Sequence, residues 1–177
     1  MLYTSSLTAL YVGPYPFGRP PQYTGSMSQR DPIRVFVTHC FEEGDDYLRV
    51  FEYIESAQNF YYKNCSAPDA RPPIGGQDGR REELRRQIAL AEVVIALSSL
   101  YAQQQDLLVF QLNYAKASDK PVLLLPLFGV EQPRAKALNG LFDESVSWDE
   151  RALVDAVKRQ ARHEDTTRWD TIEFKLD

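Results

Sequence analysis

The stretch Ala91–Ala117, AEVVIALSSLYAQQQDLLVFQLNYAKA, decides how the rest of the chain is read. Val93-Val94-Ile95-Ala96-Leu97 is a continuous apolar run of strand length, which predicts a strand buried on both faces. Ser98 and Ser99 interrupt it, Tyr101 follows, and a Gln-rich lead-in opens a helix carrying Leu108, Gln111, Leu112 and Ala115. A buried strand that gives way to a helix through small polar residues is the half-unit of a parallel α/β sheet. Ligands of such sheets bind beyond the carboxyl ends of the strands. The Ser98–Asp106 segment is expected at that end, with Gln111 on the first turns of the helix behind it.

The flanking sequence repeats the alternation. Arg34–His39, RVFVTH, is a strand by its Val35, Phe36 and Val37. The acidic Glu42–Asp46 turn then suits the start of a helix that reaches about Ala57, with Tyr47, Leu48, Phe51 and Ile54 on one stripe. Phe60-Tyr61-Tyr62 is expected as a short second strand. The run from Asn64 to Gly79 is rich in Pro and Gly and predicts a long loop, of the kind that is functional or mobile in a compact domain. A helix over Arg80–Leu90 places Leu84, Ile88 and Ala91 inward. Pro121–Leu127 is the next buried strand, Pro133–Leu141 a short helix closed by Gly140, and Val146-Ser147-Trp148 a last strand. Asp149 then caps a helix with Leu153, Val154, Val157 and Ala161 on its apolar face. The alternation predicts an α/β domain: a flavodoxin-like three-layer parallel sheet with helices on both faces.

At 177 residues the chain has room for one domain with appendages. Residues 1–32 are expected as a leader rich in Pro, Tyr and Gly, 33–162 as the domain, and 163–177 as a tail whose Ile172, Phe174 and Leu176 alternate like an edge strand or docked arm. Gly25-Ser26-Met27 has the look of a junction before a second start. A formal charge of −5 argues against a binder of nucleic-acid phosphates. Arg80, Arg81, Arg85 and Arg86 are interleaved with Glu82 and Glu83 and read as a solvated helix face. Cys40 and Cys65 form no metal pattern and no disulfide framework, and His163 joins no metal set. No apolar run approaches the roughly 20 residues of a membrane span, and no signal-peptide pattern opens the chain, so a cytoplasmic protein is expected. Neither a GxGxxG nor a GxxxxGK[ST] spacing occurs, which removes the Rossmann fingerprint and the P-loop.

Five segments together resemble the TIR domain, in its bacterial TIR-like form found in Thoeris-type antiphage systems. They are RVFVTHCF, NFYYKNCSAPDARPPI, LRRQIALAEVVIALSSLYA, QLNYAKASDKPVLLLPL and VSWDERALVDAV, and they span roughly residues 34–162 in the family's order. The resemblance implies a TIR fold and cleavage of the nicotinamide–ribose bond of NAD, with NAD as substrate and no cofactor. It also implies an ADP-ribose-derived nucleotide signal, a homo-oligomer or filament, a phage-protein trigger and a downstream effector. The family's catalytic Glu falls on Gln111, and the aromatic residue that commonly precedes it falls on Leu107. As nicotinamide leaves, positive charge builds on the ribose, which a carboxylate stabilises. An amide keeps the shape without the charge, and losing one such group commonly costs on the order of 10²–10³ in rate. The chain is therefore expected to be impaired in turnover.

The resemblance also nominates a pocket. His39, at the end of the first strand, would contact ribose or phosphate, beside Thr38 and Phe41, whose ring would stack on a base or else pack under the next helix. Asn64, Ser66 and Asp69 lie in the loop that flanks the NAD pocket in relatives and mediates assembly, although all three are ordinary turn formers. Ser98 and Tyr101 close the third strand's end. Two alternatives stand beside the enzyme: a non-enzymatic TIR adaptor or scaffold assembling through its loops, and a nucleoside deoxyribosyltransferase-like enzyme, for which the acidic residues near a pocket are wanting.

Overall fold

A computed structural model describes residues 30–70, 74–129 and 136–164. Five parallel strands form one sheet: β1 (Ile33–Val37), β2 (Tyr62–Asn64), β3 (Val93–Leu97), β4 (Val122–Leu125) and β5 (Glu144–Ser145). Their order in the sheet is β2-β1-β3-β4-β5. This is the flavodoxin-like arrangement, and the chain reverses its direction of travel across the sheet between β1 and β3. β1, β3 and β4 are the central strands, and all but one of their residues are buried, the exception being Arg34.

Helices cover both faces. α1 (Asp45–Ser56) and α5 (Glu150–Arg162) pack together on one; α2 (Gly76–Leu90) and α4 (Gln105–Ala117), with the short α3 (Ser99–Gln103), pack on the other. α1 buries Tyr47, Val50 and Ile54 at helical spacing, and α5 buries Leu153, Val154, Ala156 and Val157. The Asp149 side chain accepts the Ala152 N–H at 2.7 Å and caps α5 as expected.

Several boundaries fall elsewhere than the sequence pattern placed them. The second strand begins at Tyr62 rather than Phe60: Ile33, the first residue of β1, pairs with Tyr62 and donates to Tyr61 O, and Pro32 before it has no N–H to give. Asn59 instead takes a left-handed φ of 61° and turns the Phe60 ring into the core. α2 starts at Gly76, four residues ahead of Arg80: Gly75 and Gly76 adopt φ of 151° and 58°, making a turn that only glycine takes freely, after which Gln77–Gly79 fold into the first helical turn. The last strand is Glu144–Ser145, not Val146–Trp148. Val146 still donates to Leu124 O, but Trp148 leaves the ladder to donate its indole N–H to Pro126 O at 2.7 Å. Within the expected Pro133–Leu141 helix, Lys136–Leu138 form a single 3₁₀ turn. Residues 1–29, 130–135 and the 165–177 tail lie outside the described residues, and with them most of the leader and the arm.

Candidate functional site

The loops after β1 and β3 flank the point where the strand order reverses, which is where open α/β sheets bind ligands. A cleft of about 280 Å³ opens there. Thr38, His39 and Cys40 from the first loop line it, with Leu97, Ser99, Leu100 and Gln103 from the second and Tyr47 from α1. Its outer wall is the acidic turn Glu42, Glu43, Asp45 and Asp46.

Behind the cleft the structure builds a buried polar lattice, uncharged around Gln111 and His39 and ending in the Glu83–Arg86 ion pair. Gln111 is fully buried. Its Oε1 accepts the His39 N–H at 3.2 Å, and its Nε2 donates to His39 O at 3.1 Å and to Leu107 O at 3.1 Å. An amide rotated end for end would set N–H against N–H and oxygen against oxygen, so the three bonds fix its orientation. Every polar atom of the side chain is thereby committed to main chain. The Thr38 Oγ1 accepts the Leu97 N–H at 3.0 Å and joins the ends of β1 and β3.

His39 itself is 1% exposed. Its Nδ1 accepts the Phe41 N–H at 3.2 Å, which leaves Nε2 as the protonated nitrogen, donating to Gln87 Oε1 at 2.9 Å. Burial pushes the imidazole pKa below its ordinary value, against the opposing pull of the Gln87 bond and the charges of Glu83 and Asp69. Gln87 Oε1 also accepts the Ala67 N–H, and its Nε2 donates to Ala67 O and to Glu83 Oε1. Glu83 in turn is held by a two-pronged contact with Arg86, 3.0 and 2.7 Å, which keeps its carboxyl below the usual range despite burial. The lattice therefore runs from the surface at Arg86 to the main chain of Phe41.

Phe41 has φ of 68°, a left-handed conformation uncommon for a side chain of that size. The His39 Nδ1 bond and the edge-on contact of the two rings, 5.4 Å between centroids, hold it there. Asn64 and Ser66 form a second tie: the Ser66 Oγ accepts the Val37 N–H at 3.3 Å and the Tyr47 hydroxyl at 3.2 Å, and Asn64 receives the Ser66 N–H and hydroxyl.

The structure thus brings together Thr38, His39, Phe41, Leu107 and Gln111. Ser66, in the loop after β2, braces β1 and is itself held by Asn64 at the end of β2, and Asp69 is an exposed charge whose influence on His39 is electrostatic. Ser98 turns towards β4, donating to Leu125 O at 2.7 Å, and Tyr101 packs half-buried on the core; Ser99 is the serine that faces the cleft. Gln87, Glu83 and Tyr47 were not among the site residues nominated from the sequence. Gln87 and Tyr47 lay on helical faces with nothing to mark them beyond helical spacing, whereas Glu83 sat in a run of charges that otherwise faces solvent.

Among the described residues no group of three His, Cys, Asp or Glu side chains is placed to hold a metal ion, and no helix is long and apolar enough to cross a membrane. Neither a protein-family model nor a curated protein matches the chain.

Proposed function

We propose that this chain is a TIR-like domain of the Thoeris type. In this reading it serves antiphage nucleotide signalling by recognising NAD or an ADP-ribose-like nucleotide at the carboxyl end of its sheet, and as it stands it does not cleave the nicotinamide–ribose bond. The observation that carries the reading is the Gln111 amide. It lies at the position where the resemblance puts the catalytic carboxylate, yet it is fully buried and bonded to three main-chain groups. Two of those groups are carbonyl oxygens, which need a donor. A carboxylate there would face both oxygens with no hydrogen to give, in a fully buried place. Residue 111 thus suits a clamp on the first loop, and an amide suits it better than an acid.

A cytoplasmic setting, self-association into an oligomer or filament through the loop after β2, a phage-protein trigger and a downstream effector belong to the same reading. An active NAD glycohydrolase or cyclase is the second reading. Its support is the placement of residue 111 beside Thr38 and His39 at the strand-order reversal. The adaptor that binds no nucleotide is what remains if recognition fails.

The test is NAD binding by calorimetry together with NAD consumption by mass spectrometry, on this chain and on Gln111→Glu. Binding without consumption by either protein is expected. Turnover by the unaltered chain sinks the reading in favour of the enzyme. Turnover by Gln111→Glu alone makes it a disarmed enzyme, and absence of binding leaves the adaptor.

A further inference from the structure

A second, smaller hollow of about 120 Å³ has the opposite character. Gln77, Arg80 and Arg81 of α2 and Gln104, Asp106 and Leu107 at the start of α4 line it. Of the four arginines on α2, Arg85 pairs with Glu82 at 2.9 Å and Arg86 with Glu83 at 2.7 Å. Arg80 and Arg81 have no carboxylate partner among the described residues. Each lies instead over an aromatic ring, Arg80 over Phe41 at 5.8 Å and Arg81 over Phe110 at 5.4 Å. A guanidinium placed over a ring is oriented through its face and keeps its in-plane N–H donors free. Both side chains line the one hollow, and each guanidinium can give paired N–H bonds to a phosphate oxyanion. Asp106 is the single carboxylate lining this hollow, against four lining the cleft. The amino ends of α2 and α4, neither capped by a side chain, add to the positive potential.

We propose that Arg80 and Arg81 hold the phosphate groups of the ligand, a diphosphate-bearing nucleotide, in the hollow between α2 and α4. Resting on the nucleotide reading above, this assignment also orients the ligand. The carboxylates of Glu42, Glu43, Asp45 and Asp46 exclude phosphate from the larger cleft and leave it to a cationic or hydroxyl-bearing end. A hollow of this size takes a diphosphate and not a whole dinucleotide, whose pockets run to roughly 300 Å³ and more. The remainder of the molecule must extend beyond the hollow.

The experiment titrates inorganic pyrophosphate and, separately, NAD into the full chain at low salt, following amide shifts and heat. It is repeated with Arg80→Gln plus Arg81→Gln, with Arg80→Lys plus Arg81→Lys, and with Arg151→Gln as a remote exposed control on α5. Binding of both probes is expected. The Gln pair should lose about tenfold or more in affinity, corresponding to roughly one charge-assisted hydrogen bond. The Lys pair, which keeps charge without the fork, should fall between, and the control should match the unaltered chain. NAD binding that the Gln pair leaves unchanged overturns the assignment and spares the nucleotide reading. Pyrophosphate binding without NAD binding supports the anion hollow and removes the nucleotide reading. Failure of both probes overturns both, as does equal weakening by Arg151→Gln for the hollow alone.

Discussion

The two ends of the sheet are tied off by different chemistry. At the carboxyl end the ties are neutral: Gln111 to the main chain of His39, Thr38 to Leu97, His39 to Gln87, Ser66 to Val37. At the amino end they are ionic. Glu92 accepts the Arg34 N–H at 2.9 Å and a two-pronged contact from Arg162 at 3.1 and 3.2 Å, and Arg162 reaches on to Asp31. Asp143 takes Lys116 and the Val122 N–H, and Glu144 takes Arg159 and Gln160. Solvent explains the difference. The amino-end carboxylates are partly exposed and keep some hydration, whereas Gln111 and His39 have almost none. A buried ion would have to be paid for by a matched partner, and amides avoid that need. The outcome is a first-strand loop held directly by uncharged groups, with charge entering one bond further out, where Glu83 accepts from Gln87 and pairs with Arg86.

The sharpest way to break this contrast is to place a charge among the neutral ties. Gln111→Glu should cost about 3 kcal/mol or more at pH 7, since it strands an unpaired carboxylate against two carbonyls. The folded state would raise that carboxyl's pKa, so the loss should be smallest below the ordinary carboxylate range and grow as pH rises. Denaturant midpoints at pH 5 and pH 8 decide it; equal stability of the two proteins at pH 8 would refute the clamp.

The next effect comes from His39. Its pKa is lowered on folding, so the unfolded chain takes up the proton first. Stability is then full above the unfolded value of 6.5 and declines as pH falls through it, by at most about 1.4 kcal/mol per pH unit. Unfolding midpoints compared at pH 7.5 and 5.5 should show the decline in the unaltered chain and a flatter response in His39→Gln. Parallel slopes would mean that other groups carry it.

The smallest effect belongs to the ionic end. Glu92→Gln should cost about 1 kcal/mol, and less in high salt, in keeping with a partly exposed pair. Burial works against the Glu92 charge but is outweighed by Arg162 and Arg34, which hold the carboxyl below its usual 4.5. Its contribution is present above that value and lost as pH falls below it. A salt-insensitive loss would show that Glu92 acts through packing rather than charge.

The central strands were legible because burial on both faces leaves an unbroken apolar run, as in Val93–Leu97 and Val122–Leu125. The edge strands were misplaced by two residues for the complementary reason. β2 contains Lys63 and Asn64 and β5 is Glu144–Ser145, polar residues that strand at a sheet edge because a neighbour's backbone pairs with them. Of the site, Thr38, His39 and Gln111 stood out in sequence, but as contacts for a ligand. In the fold they bond chiefly to one another's main chain and to that of β3.

The sequence by itself determined the alternation of strands and helices, the buried character of the central strands and the cap at Asp149. Each is set by a residue's own volume, polarity or backbone freedom. Only the tertiary structure decided that residue 111 reaches 72 positions back to grip His39, that Gln87 receives the imidazole Nε2 proton, and that Arg85 and Arg86 take carboxylates while Arg80 and Arg81 face only rings. Those outcomes depend on which side chains the packing of two helices against one sheet brings within about 3 Å of one another, and no local pattern records that distance.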